Sequence, residues 1–454
     1  MKYFPLTLVC LLIAAPIFAK IAPLRSEERA IAGGGSGAKA AGGGQSNRLM
    51  TFAQIEQRLA VWKQKYPELV ELSTLPGKTR EGRSIPLVRI GKPGMPELMW
   101  LSGIHPREQQ PAYCTLRFIE EELAAGWKSQ RCLWYVPMFN VDGKLWEETH
   151  KDWRKNRVPN ADGTFGVDLN RNFPIRWGGG REIDSTWNDS TARPGADIYE
   201  GLSALSEPEN QALDRFFAEH PHLRAFMDIH SPLREILFPA HTIEQDHSRY
   251  TKIAKGMQQR QKDAPYPITK STPGSEPAPG VRGGNSGLTY SHAFYSYGIY
   301  GFNFEISIPS KTKGVAGRYP PEREIAQEYE TNVREAWRFW LDTAGELPLA
   351  QKGSLAPKGS GTTDKPIAPS AVLGWTPPEI PGPWAYAVLT SQDPAIVVPS
   401  EYRAFPLKAP FTLQVMLNAK PGTSVPLTLH LWDKERRHSI HPFRLMITDN
   451  QKKE

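Results

Sequence analysis

The segment Gly103-Ile-His105-Pro-Arg-Glu108 sets an imidazole and a carboxylate three residues apart. It follows the apolar run 98–101, which reads as a buried strand. Both side chains would then sit on the turn at that strand's carboxyl end, where they can converge on one ion. A second histidine, His230, ends another apolar run, Ala225-Phe-Met-Asp-Ile229. Two histidines and one carboxylate are a usual protein ligand set for a catalytic zinc, whose fourth position is left to water. The pattern predicts one Zn2+ per chain, held by His105, Glu108 and His230. Cysteine ligation is not expected, because Cys114 and Cys132 fall within predicted elements at no metal-ligand spacing. His150, His220, His222, His241, His247 and His292 occupy polar or loop contexts and read as solvent-facing or locally hydrogen-bonded.

The elements that must position these residues alternate between helix and strand. Thr51 with Gln54 forms a capping-box signal, and Ile55, Leu59 and Trp62 make the apolar stripe of the helix that follows. Residues 77–90 read as a hairpin. A helix is predicted over 112–123 and a strand over 133–136. A helix capped by Ser206 and Glu209 should run to about residue 219, with strands over 224–229 and 300–306. A long helix over 322–341 should turn Ile325, Tyr329, Val333, Trp337 and Trp340 inward. Such alternation predicts an α/β domain over residues 48–345: a mixed central sheet flanked by helices, with its site at the carboxyl ends of strands. Residues 346–369 are rich in Lys, Gly, Ser, Thr and Pro and read as a linker. Beyond it the period becomes two (Phe411, Leu413, Val415, Leu417, then Val425, Leu427, Leu429, Leu431), which predicts a small all-β sandwich over 370–454.

Composition bounds the remaining possibilities. At 454 residues the chain should hold two or three domains, and 39% hydrophobic with 23% charged residues excludes a largely disordered chain. The net charge of +7 is spread without a basic block, which argues against a nucleic-acid partner. Met1 and Lys2, the apolar stretch 4–18 and the small Ala19 predict a secretory signal peptide over 1–19, followed by a Gly-rich linker over 20–47. A secreted or periplasmic location follows, with no membrane span after signal removal. Cys114 and Cys132 could be bridged in that compartment or remain two free thiols.

Several segments, in order along the chain, resemble the zinc metallocarboxypeptidases of the carboxypeptidase A/B type. They are Glu81-Gly-Arg, His105-x-x-Glu108, Pro137-x-x-Asn140-x-Asp-Gly143 and Trp153-Arg-Lys-Asn-Arg157. They continue with Gly166-Val-Asp-Leu-Asn-Arg-Asn-Phe173, Tyr199-x-Gly-x-x-Ala-x-Ser-Glu-Pro-Glu209, His230-Ser231 and Phe302-Asn-Phe-Glu-Ile306. Each is weak alone; their joint order is specific. The resemblance implies a metallopeptidase that hydrolyses the C-terminal peptide bond of peptides or proteins. It implies Glu305 as the general base acting on the zinc-activated water, and Arg154 as the group that stabilises the developing oxyanion. It assigns Asn170 and Arg171 to the substrate's terminal carboxylate, and Asp168 as the acceptor that orients His105 through its other ring nitrogen. Leu288 falls near the position that sets side-chain preference in the family and points to an apolar terminal residue.

The sequence departs from the family in two places. Pro232 stands where digestive members have a Tyr after His-Ser, and the stretch 272–287, which should carry a substrate-covering Tyr, has none. Tyr266 and Tyr290 flank that stretch without matching by context. His230-Ser-Pro-Leu233 and Thr272-Pro-Gly-Ser275 are similar to segments of murein-peptide amidases in the same superfamily. Stem peptides of the cell wall are therefore the alternative substrate, and a catalytically inactive binding module of the same fold is a third reading. Trp375, Trp384 and Tyr386 could serve carbohydrate binding or lie in a core. No inhibitory pro-domain of the family's usual size precedes Thr51, so activity without proteolytic activation is expected.

Overall fold

The structure is a computed structural model. It describes residues 49–178, 192–239, 243–268, 287–307, 318–352 and most of 361–447. The expected signal peptide (1–19), the Gly-rich linker (20–47) and all but the last residue of the tyrosine-free stretch 272–287 lie outside the described residues. The architecture below is that of the unit Gln45–Glu454.

Seven strands build the central sheet: β1 (Val70–Thr74), β2 (Pro86–Ile90), β3 (Glu97–Ser102), β4 (Cys132–Val136), β5 (Leu223–His230), β6 (Glu235–Leu237) and β7 (Tyr300–Glu305). Their order is β1-β2-β4-β3-β5-β7-β6. The inner strands β4, β3, β5 and β7 are parallel, and both edges are antiparallel. Every residue of β7 is buried, and β3 and β5 are buried almost throughout, as parallel strands covered on both faces must be. Register then fixes the site. Ser102 pairs with Ile229 and His230 with Glu305, so β3, β5 and β7 end at one edge of the sheet.

Helices α1 (Phe52–Lys65), α2 (Gln109–Ala124), α3 (Val141–Glu147), α4 (Pro208–Glu219), α5 (Glu244–Gln258), α6 (Thr289–Tyr297), α7 (Glu322–Glu328) and α8 (Arg334–Ala344) accompany the sheet. Alternation along β3 divides the interior. Trp100 packs with Phe118, Trp337 and Trp340 in one cluster, while Met99 and Leu101 join Phe216, Phe217 and Phe226 in the other. The Thr51–Gln54 capping box is present. The one expected at Ser206 and Glu209 is not: Glu207 is the N-cap and makes no side-chain cap bond. Pro208 presets the first turn instead, Ser206 Oγ donates to Glu207 Oε1 at 2.8 Å, and Glu209 accepts the Arg80 N–H at 3.1 Å. The expected long helix is α7 and α8 joined by a π-helical turn over Tyr329–Val333. Cys114 and Cys132 are both free and buried.

The C-terminal region is all β. Strands β8 (Gln351–Lys352), β9 (Gly361–Ile367), β10 (Val372–Trp375), β11 (Trp384–Thr390), β12 (Ile396–Val397), β13 (Tyr402–Ala404), β14 (Phe411–Val415), β15 (Ser424–Asp433) and β16 (Arg437–Ile447) form two sheets. One runs β10-β14-β12, and the other β13-β11-β15-β16-β8 with β9 also on β16. Residues 346–369, expected as a linker, instead contribute β8 and β9, both parallel to β16. Main-chain pairing holds these strands, so a polar, turn-rich composition did not announce them. Trp375, Trp384 and Tyr386 are buried, the first two in the sandwich core, so they form no exposed platform. The sandwich reaches into the α/β region. Trp432 Nε1 donates to the Tyr295 carbonyl at 3.1 Å, and the buried Arg436 lies 3.0 Å from Asp246 and over the Tyr300 ring.

Candidate metal centre and active site

His105 follows β3 on a turn made possible by Gly103, whose φ of +72° and contact with Met138 leave no room for a Cβ. His230 is the last residue of β5. Glu108 lies between them, with Oε1 2.8 Å from His105 Nδ1 and Oε2 3.1 Å from His230 Nδ1. The ligand atoms of these three buried residues lie within 4.8 Å of one another, and the group could hold a metal ion. Each outer ring nitrogen has its own carboxylate. His105 Nε2 is 3.0 Å from Asp168 Oδ1, and His230 Nε2 is 2.9 Å from Asp228 Oδ2. Those carboxylates fix the Nε2–H tautomers and leave both Nδ1 lone pairs facing the Glu108 oxygens. Lone pairs facing a carboxylate repel unless a proton or a cation lies between them, so the donor set fits a dication. Burial pushes the Glu108 carboxyl up, but His105 and His230 hold it well below the usual carboxylate range. Burial likewise opposes charge on His230, yet Asp228 and Glu108 raise it well above its ordinary value.

Asp168 is the hub beside this group. Its Oδ1 also accepts the Asn170 N–H at 3.0 Å, and its Oδ2 accepts Arg154 Nε at 2.9 Å. Arg154 in turn brings Nη1 within 3.5 Å of Glu108. Despite burial, Arg154 and His105 keep the Asp168 carboxyl well below the ordinary range. The 3-10 turn Leu169–Arg171 carries Asn170, whose amide nitrogen is 3.2 Å from His230 Nε2 and whose Oδ1 accepts the Thr289 N–H at 3.0 Å. Arg171 donates to the Asn170 carbonyl, while its Nε is shut from solvent without a partner. Among the described residues no carboxylate forms an ion pair with Arg171. Gly287 packs directly on this turn. Its φ is +65°, and a Cβ there would lie 2.0 Å from the Arg171 carbonyl oxygen. Glu305, the last residue of β7, accepts the Leu233 N–H at 3.3 Å and stands opposite Glu235. Burial pushes its carboxyl up to about 7, against the pull of His230.

The other recurring segments brace these groups. Asp142 accepts from Thr79 Oγ1, the Glu81 N–H and Arg83, which anchors the turn after β1. Asn156 donates to Glu207 at 2.7 Å, tying the Arg154 loop to the start of α4. All the sequence-derived site residues therefore gather at one edge of the sheet. His292, expected in a polar or loop context as solvent-facing or locally hydrogen-bonded, lies buried on α6, 3.0 Å from Ser296 Oγ one turn on and 2.7 Å from Asp214.

A zinc carboxypeptidase family model matches residues 55–335, well over half of the chain. The chain belongs to the zinc carboxypeptidase family. Mast cell carboxypeptidase A of Rattus norvegicus is 35% identical over 210 residues, 42% of this chain and 48% of that protein. Carboxypeptidase B of Bos taurus is 28% identical over 283 residues, 59% of this chain and 64% of that protein. The chain thus spans about half to two thirds of the length of these relatives. The fold is likewise that of bovine thrombin-activatable fibrinolysis inhibitor, solved with a tick carboxypeptidase inhibitor. The TM-score is 0.55 at 23% identity, over 66% of this chain and 98% of that one. Carboxypeptidase A from Helicoverpa armigera gives the same TM-score at 22% identity, over 66% and 74%. The family implies a zinc cofactor and a peptidase, in keeping with the three-residue group His105, Glu108 and His230.

Sequence reasoning missed Asp228, the partner of His230. The signal was present: a lone carboxylate inside the apolar run 225–229, the same cue that marked Glu305.

Proposed function

We propose that this chain is an exported zinc-dependent carboxypeptidase that removes the C-terminal residue of peptides or proteins. The observation that carries the reading is Arg171, a desolvated guanidinium with a partnerless Nε, one residue from an asparagine that touches the metal-ligand histidine His230. A planar guanidinium without a carboxylate is a receptor for one. Only the end of a peptide chain presents a carboxylate so close to the metal ligands, so Asn170 and Arg171 select termini over internal bonds.

His105, Glu108 and His230 would hold one zinc per chain, which when bound lowers the pKa of a water and polarises the scissile carbonyl. Glu305 takes the proton of the attacking water and returns it to the leaving amine. A carboxyl placed near 7 by burial suits both halves of that exchange. Arg154 faces the oxyanion from a position fixed by Asp168, so its guanidinium needs no reorganisation as charge develops. Arg171, which has no carboxylate partner among the described residues, meets the terminal carboxylate, and Asn170 supplies a second contact.

Rates on matched peptides with free and amidated C-termini test the reading. Amidation should nearly abolish cleavage, a loss of about 2–5 kcal/mol in transition-state binding. Arg171→Ala should harm the free acid severely and the amide much less. Equal cleavage of both peptides at internal bonds would overturn the assignment.

A further inference from the structure

Beyond the metal ligands, the sheet face that carries them holds two polar side chains that each keep one oxygen without a partner. Asp228 and Asn303 are register partners on β5 and β7, one step inward from His230 and Glu305 on the same face. They are 0% and 3% exposed. Asp228 Oδ2 is used twice, by His230 Nε2 and by the Thr289 hydroxyl. Asp228 Oδ1 and Asn303 Oδ1 are both shut from solvent and accept no hydrogen bond. Among the described residues no lysine or arginine forms an ion pair with Asp228. Two adjacent orphan acceptors, one on a carboxylate, are costly unless a donor arrives.

Their position says which donor. Thr289 joins the two halves of the problem, because its N–H binds Asn170 of the carboxylate clamp and its hydroxyl binds Asp228. A terminal residue held by Asn170 and Arg171, with its peptide bond at the metal ligands, directs its side chain toward this face. Leu288 and Tyr290 lie in the core cluster alongside, and Tyr290 is within electrostatic range of Arg171, Asp228 and Glu305.

We propose that Asp228 and Asn303 form the floor of the terminal side-chain pocket and select substrates whose last residue carries a cationic side chain. This rests on the carboxypeptidase reading and reverses the apolar preference that Leu288 suggested. The pocket supplies two acceptors and a negative charge, so it favours a guanidinium or ammonium over a neutral group of equal size.

The test uses the zinc-loaded full chain and N-blocked peptides that differ only in the last residue: arginine, lysine, citrulline, norleucine, leucine or phenylalanine. Arginine and lysine should exceed citrulline and norleucine in kcat/KM by at least a hundredfold, as expected where a buried polar site is left unpaired. Asn303→Leu should narrow that ratio to below about tenfold. Release of leucine, phenylalanine or norleucine as fast as arginine would overturn the pocket while leaving the carboxypeptidase reading intact. If no terminal residue is released, that reading falls, and the pocket is judged by calorimetry with free L-arginine against L-citrulline. Tighter binding of arginine by tenfold or more supports it; equal binding overturns it.

Discussion

The Asp228 carboxylate lies 2.9 Å from Nε2 of His230, and it does for that histidine what Asp168 does for His105 at 3.0 Å. The two histidines of the candidate metal group are thus oriented by two separate acids, one on β5 itself and one on the turn before Asn170. Neither imidazole can rotate without breaking a buried charge-assisted bond.

Asp228→Asn keeps the shape of this support and removes its charge. Zinc affinity should fall about ten- to hundredfold, as when other acids behind a ligating histidine are changed. Competition with a chelator of known affinity measures it. An unchanged zinc dissociation constant would leave Asp228 without an orienting role.

Glu305→Gln should retain zinc and bind substrate, yet lose turnover by roughly 10²–10⁴-fold. The amide cannot take a proton from water, whereas its size and its contact with the Leu233 N–H are preserved. Zinc content by metal analysis, measured beside single-turnover rates, separates loss of the base from loss of the metal.

Gly287→Ala probes the turn that carries Arg171. An added methyl would meet the Arg171 carbonyl at 2.0 Å, and the φ of +65° disfavours any side chain. The variant should lose about 1–3 kcal/mol of stability in denaturant unfolding. The displaced clamp should raise KM for free-acid peptides more than it lowers kcat. A variant with wild-type KM would show that the turn tolerates the shift.

Acid should loosen the sandwich. His430 is buried 3.0 Å from His438, and burial pushes its imidazole down to about 3; His438 is also held well below its ordinary value. Both are neutral in the fold and protonate near 6.5 once unfolded. The His430 contribution is complete above about pH 6.5 and is lost progressively as pH falls toward 3, by about 1.4 kcal/mol per pH unit, and His438 acts in the same direction. Denaturant midpoints at pH 7 and pH 4.5 should differ in the wild type; the gap should narrow in His430→Gln and narrow further when His438→Gln is added.

What the sequence made legible is what strands announce at their ends. His105, His230 and Glu305 each close an apolar run, and runs of that kind in a parallel sheet finish side by side because register permits nothing else. The same run hid Asp228, since a carboxylate in mid-strand reads as an interruption until its neighbour two residues on is recognised as its partner. Ser206 and Glu209 carried a capping signal, but Asn172 and Arg80 claim those groups from 34 and 129 residues away, and local pattern contains neither partner. Strands β8 and β9 were illegible for a different reason: an edge strand held by main-chain bonds asks little of its side chains.

The contact between Arg436 and Asp246 also orders events during synthesis. Asp246 leaves the ribosome with α5 and its neighbour Arg249, 2.9 Å away, whereas Arg436 of the sandwich follows 190 residues later. At roughly 5–20 residues per second the interval is on the order of 10–40 s. Throughout it the nascent α/β region holds Asp246 with Arg249 and Tyr300 but without its sandwich partner, along with Tyr295 and Gly298 carbonyls that Trp432 and Arg436 later cap. A message truncated before β15 would therefore yield more than a missing appendage: it would release an α/β region with an open seam, recognisable to proteases as unfinished.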